Sequence, residues 1–210
     1  MLVCNENELA HLRAQDERMA WAIDRIGPIC RETEDDIFAS IVSQIVGQQI
    51  SGAAQRTVLS RLHAAAGEIN ADAIAALGAD GLRGCGMSMR KAENILALAE
   101  SVRDGSFDPD ALLSMPDDEV VRTLTKLRGI GVWTAEMLLI FTLRRPDVLS
   151  FGDFGIRRGI RMLYGEKALT RARFEEYRRR FSPCGTAASL YLWAISGGAL
   201  PELADTEDEA

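Results

Sequence analysis

The 210-residue sequence has two histidines, four cysteines, no CxxC spacing and no long apolar run. Each shortage removes a class of chemistry. Cys4, Cys30, Cys85 and Cys184 stand singly without histidine neighbours, which argues for free thiols and against a zinc site or a disulfide framework. His11 and His63 lie far from any other candidate chemistry and read as solvated. No stretch approaches the roughly 18 apolar residues of a membrane span, and no charged region with an apolar segment opens the chain as in a signal peptide. The expectation is a soluble protein with no membrane partner, cytoplasmic in a bacterium or nuclear in a eukaryote. Sustained alternation of β-branched residues is also missing, whereas periodic apolar segments rich in Ala, Leu, Glu and Arg recur. They predict an all-α fold, in one domain or two small lobes.

Positive charge is short overall, with a net charge of −7, but unevenly so. The last residues, from Gly198, hold Glu202, Asp205, Glu207, Asp208 and Glu209, and read as an acidic, disordered tail. Between Arg122 and Arg180 there are fourteen Lys/Arg against six Asp/Glu, 14 − 6 = +8. Solvated helix faces account for part of that excess; the rest suits a phosphate-bearing partner.

Along the chain, Asp35 and Asp36 start a mostly buried helix through Val46, and a polar loop, Gly47-Gln48-Gln49-Ile50-Ser51, separates it from a helix over about 52–66. A short helix from Ala71 exits through Gly84-Cys85-Gly86 into Met87-Ser88-Met89-Arg90-Lys91, where Ser88 is a natural cap for the next helix. Leu127-Arg128-Gly129-Ile130-Gly131 then forms an apolar-Gly-apolar-Gly turn before an apolar run, Val132 to Leu143. That pattern reads as a hairpin between two helices. Glycines there permit φ > 0 and close approach, and the helix N-terminus that follows can hold a phosphate on its N–H groups. Twenty residues after Trp133 comes Asp153, in Ser150-Phe151-Gly152-Asp153-Phe154-Gly155-Ile156-Arg157-Arg158. Taken alone it is equally an ordinary N-cap, and it can be both cap and functional carboxylate.

LRGIGVWTAEMLL followed by FGDFGIRRG resembles the hairpin, loop and catalytic aspartate of the helix-hairpin-helix (HhH-GPD) DNA glycosylases, most closely the alkylation-repair 3-methyladenine DNA glycosylase II branch. The resemblance implies a two-lobed helical body over 1–197, with the active-site cleft between a lobe of about 36–125 and one built from the N-terminal segment with about 126–197. It implies the shorter, catalytic-body-only form, acting as a monomer on double-stranded DNA with alkylated bases. Asp153 is then catalytic. Gln49, with Gln48 beside it, takes the place of the wedge that fills the gap left by a flipped nucleotide, and Trp133 and Met137 the place of the base pocket. Gly129, Gly131, Val132 and Thr134 at the hairpin, Ser88, Arg90 and Lys91 at the GxSxRK turn, and Arg157 take the DNA backbone. The carbonyls of Thr125, Leu127 and Ile130 correspond to those that hold a monovalent Na+ or K+ ion.

No organic cofactor is implied, and the four-cysteine iron–sulfur cluster of some relatives has no counterpart. Trp133 stands where lysine-bearing members form a Schiff base, so a monofunctional hydrolase releasing 3-methyladenine or 7-methylguanine is the expectation. Structural alternatives stand beside these roles: Gln48 and Gln49 as loop hydrogen-bonders, the Ser88 turn as solvated, Trp133 as a packing aromatic and Met137 as core. Two other functions remain open: the same fold acting on hypoxanthine or ethenoadenine, and a non-catalytic DNA-binding hairpin module. Cys184-Gly185-Thr186 replaces the aromatic-Arg-Ser run often found after the proline, and suggests a roomier pocket.

Overall fold

The computed structural model of the protein describes residues 1–205, and these are almost entirely helical. In chain order the α-helices are α1 (Glu6–Gln15), α2 (Glu17–Ile26), α3 (Ile37–Gly47), α4 (Gly52–Ala66), α5 (Ala71–Gly84), α6 (Met89–Arg103), α7 (Asp117–Leu124), α8 (Val132–Phe141), α9 (Phe154–Tyr164), α10 (Arg171–Phe181) and α11 (Gly185–Ser196). A 3₁₀ helix over Asp110–Ser114 and one antiparallel pairing, β1 (Leu2–Val3) with β2 (Cys30–Arg31), complete the regular structure among the described residues.

Helix starts follow short polar side chains. Asn5, Asp16, Asp36, Ser51, Asn70, Ser88, Asp153 and Thr170 each accept the backbone N–H three residues on. Each such cap contributes about 1 kcal/mol. Asp16 also divides the N-terminal segment into two helices. Its N–H ends α1 on the Leu12 carbonyl, while its carboxylate starts α2 by accepting Met19 N–H. A second interruption sits inside α5, where Gly78 adopts φ 61°.

The chain divides into two compact units, Glu34–Leu143 and a second made of Met1–Thr33 with the chain from Arg144 onward. In the Glu34–Leu143 unit α8 packs on α7 and α3. Within Glu34–Leu143, α5 lies along α6 and α3 along α4, over a core including Ile41, Ile45, Leu62, Ile74, Ile95 and Leu124.

In the other unit α9 lies along α11, with α2 against both. The two long partners approach so closely at Gly159 that a Cβ there would sit 2.3 Å from the Leu192 carbonyl oxygen. Any side chain would force the helices apart, a cost of about 1–3 kcal/mol. Tyr177, Tyr191, Phe174 and Phe181 fill this core. Asp16 adds polar ties, accepting Tyr164 Oη–H at 2.9 Å and Arg180 Nη1–H at 2.6 Å. The expectation of a disordered tail from Gly198 meets a different arrangement up to Asp205. Leu200 is buried, Glu202 pairs with Arg25 at 2.7 Å, and Asp205 is buried against α9. The remainder of that acidic tail, 206–210, lies outside the described residues.

Candidate functional site

In the Glu34–Leu143 unit, three sequence features meet around a cavity of about 410 Å³: the Gln48–Gln49 loop, the Ser88–Lys91 turn and the hairpin with Trp133. Lys91 makes the first tie. Its ammonium donates to the Val46 carbonyl at 2.8 Å and to the Gln48 carbonyl at 2.5 Å. Those acceptors are end carbonyls of α3, where the helix leaves oxygens unsatisfied and the dipole is negative. Burial lowers the Lys91 pKa from its usual value. Gln48 makes the second tie, donating from its side-chain amide to the Gly129 carbonyl at 2.7 Å.

Between these anchors Gln49 takes φ 58° with its side chain exposed. A non-glycine residue held in the left-handed region costs about 1 kcal/mol or more, so the surrounding hydrogen bonds impose the conformation.

The hairpin itself needs its first glycine. Gly129 has φ 83°, and a Cβ there would lie 2.3 Å from Asn94 Nδ2. Asn94, which no sequence motif singles out, thus packs under the turn and lines the same cavity. Gly131 begins α8 and, having no side chain, supplies no side-chain cap to it. Val132 is exposed, as is Trp133 at 41%, whereas Thr134 and Met137 are buried. Ser88 caps α6 and Arg90 is exposed at the cavity rim. Thr125 and Ile130 bracket the turn with Leu127, whose carbonyl also accepts Ile130 N–H at 3.2 Å.

Asp153 lies in the other unit. It is 7% exposed, and its Oδ1 accepts two N–H donors: the Ile156 backbone at 2.8 Å and the Trp193 indole at 2.8 Å. It is both the cap of α9 and a carboxylate held by a second helix. Gly155 lets the indole in, since a Cβ there would lie 2.8 Å from Trp193 Cδ1. Trp193 is forty residues further along the sequence, with no motif to link it to Asp153.

Two arginines, Arg157 and Arg158, follow Asp153 on α9. Arg157 lies over the Phe151 ring at 5.5 Å, sharing that ring with Arg171 at 4.7 Å, and its buried Nε meets no acceptor. Arg158 donates to Asp205 and to the Ser196 carbonyl, each at 3.1 Å. His11, expected in solvent, is half-buried and bonds the Ser182 carbonyl through Nε2 at 2.9 Å. Cys184, Gly185 and Thr186 are buried. Gly185 N–H donates to Asp147 at 3.0 Å and Thr186 Oγ1–H to the Arg145 carbonyl at 2.6 Å, so this run anchors the start of α11.

Comparison with known proteins shows the family of the chain. Residues 42–183 match the family described as HhH-GPD superfamily base excision DNA repair protein. The structure is similar to the DNA-3-methyladenine glycosidase of Bacillus halodurans, with TM-score 0.85 and 34% identity, covering 98% of this chain and 96% of that one. It is also similar to Schizosaccharomyces pombe 3-methyladenine DNA glycosylase Mag1 in complex with abasic DNA, with TM-score 0.80 and 28% identity, covering 91% and 97% of the two chains. In sequence, DNA-3-methyladenine glycosylase 1 of S. pombe is 28% identical over 194 residues, which is 89% of this chain and 85% of that protein.

Proposed function

The chain belongs to the HhH-GPD superfamily of base excision DNA repair proteins, and from that membership we propose that it is a monofunctional DNA glycosylase releasing 3-methyladenine and 7-methylguanine from duplex DNA. The observation that carries the proposal is the Asp153 carboxylate, fixed at the start of α9 by a backbone and an indole N–H. Cleaving an N-glycosidic bond passes through an oxocarbenium-like transition state, and a carboxylate beside the sugar would stabilise its positive charge and direct the attacking water. An alkylated purine leaves carrying its own positive charge, so one carboxylate suffices. Trp133, exposed at 41%, offers a π face to such a cationic base, an attraction of about 0.5–2 kcal/mol.

Duplex binding is assigned to the other unit. The α8 amides at Gly131 and Val132 take a phosphate, Arg90 adds charge at the cavity rim, and Gln49 fills the gap left by the flipped base. The Thr125, Leu127 and Ile130 carbonyls are neutral, hard oxygen donors, which suit Na+ or K+. Replacing both ions by tetramethylammonium at constant ionic strength is expected to weaken binding to an abasic duplex, and unchanged affinity would remove the cation.

The direct test is chromatography of bases freed from methylated duplex DNA. Wild type is expected to release 3-methyladenine or 7-methylguanine, and Asp153→Asn to be slower by roughly a hundredfold or more. Equal release by both would dismiss Asp153. The strand should stay intact until alkali is added, since the Trp133 indole cannot form a Schiff base. A borohydride-trapped protein–DNA adduct would contradict the monofunctional assignment.

A further inference from the structure

Among the described residues, Asp205 and Arg161 form a buried ion pair that half-buried Arg158 joins. Asp205 and Arg161 are each 4% exposed and form a two-pronged pair, Nε to Oδ1 at 3.0 Å and Nη2 to Oδ2 at 2.9 Å. Arg158 joins from the same helix, Nε to Oδ2 at 3.1 Å, and its Nη1 reaches the Ser196 carbonyl at 3.1 Å. Arg158 lies five residues after Asp153 along α9, and Ser196 three residues after Trp193 along α11. The same two helices are therefore bridged twice, by Asp153 with Trp193 and by Arg158 with Ser196.

We propose that Asp205 is a positioning residue for Asp153, acting through Arg158 and Arg161 to fix α9 against α11 so that the Trp193 indole stays on the carboxylate. The proposal rests on the catalytic reading of Asp153. Its physical basis is that a guanidinium is a rigid fork, and a carboxylate engaging two such forks one turn apart fixes the rotation and axial position of the helix that carries them. The close packing at Gly159 allows no slack, so a small displacement of α9 moves its capping carboxylate relative to the indole. Misplacement of a reacting group by about 1 Å costs up to roughly a hundredfold in rate.

The test uses the full chain and two variants: Asp205→Asn, and the double variant Arg161→Gln with Asp205→Asn, which leaves no unpaired charge at Arg161 should the single variant fail to fold. Two quantities are measured: single-turnover base release from saturating methylated duplex, and the indole ¹H–¹⁵N resonance of Trp193, assigned with Trp193→Phe. Both variants are expected to slow release about tenfold, to bind an abasic duplex as wild type does, and to show a shifted, faster-exchanging Trp193 indole. Glu202→Gln breaks the strap's other ion pair, with Arg25, and is expected to change neither quantity. An unshifted indole in folded variants overturns the proposal, as does equal slowing by Glu202→Gln. Absence of base release from wild type would instead overturn the catalytic reading of Asp153, and the indole resonance would still decide whether Asp205 holds that carboxylate.

Discussion

The two N–H donors on Asp153 Oδ1 differ in what they can reveal. Ile156 N–H is a helix cap that any N-terminal aspartate would have, whereas the Trp193 indole N–H reaches the carboxylate from another helix. Trp193→Phe keeps most of the ring and removes that donor. A hydrogen bond to a charged group is worth about 1.5–3 kcal/mol, so base release is expected to fall by roughly tenfold or more while the duplex is bound as before. Single-turnover rates on methylated duplex, set beside abasic-duplex affinity, check this; an unchanged rate would reduce the indole to a packing role. The Asp153 cap was legible in the sequence because its glycine and aromatic neighbours lie beside it in the chain. Trp193 and Asn94 were not, because each acts on a residue more than thirty positions away, and such proximity exists only once helices have packed.

Helix boundaries and caps were readable for a related reason: a capping side chain meets a backbone amide three residues on, and periodic apolar residues mark the face that packs. Ties between elements were less readable. Lys91 belongs to the turn that the sequence assigns to DNA, yet its ammonium sits on the end carbonyls of α3, and Gln48 bonds the hairpin. Lys91→Met would release the loop that keeps Gln49 at φ 58°. Loss of the two charge-assisted bonds is expected to weaken lesion-duplex binding by roughly tenfold, with a smaller effect on single strands, where no gap needs filling. The discriminating measurement is the salt dependence of binding. Removing a lysine that touches phosphate would lower the slope of log K against log salt by about one, whereas a released loop would leave the slope as it was.

At the scale of the whole chain, the +8 excess between Arg122 and Arg180 is smaller in effect than the count implies. Arg122, Arg158, Arg161 and Arg180 are paired with Asp118, Asp205 and Asp16, acids outside that stretch, while Arg171, Arg173 and Arg178 are paired with Glu166, Glu175 and Glu176 inside it. A charge total along a sequence cannot show which arginines face carboxylates, and for Arg158, Arg161 and Arg180 the partners, Asp205 and Asp16, lie in distant segments. Phosphate affinity must then come from a few positions and from oriented amides, which carry no net charge. The slope of log K against log salt should accordingly be shallow, equivalent to only a few phosphates at about 0.9 for each one neutralised. Arg90, exposed at the rim of the hairpin cavity, is the side chain we expect to contribute a full unit. Arg90→Ala should therefore lower the slope by about one and weaken binding alike on lesion-bearing and undamaged duplex. Titration of a fluorescent duplex across a range of salt concentrations measures both. A slope unchanged by Arg90→Ala would place phosphate binding on the α8 amides and other basic residues, and would remove Arg90 from the interface.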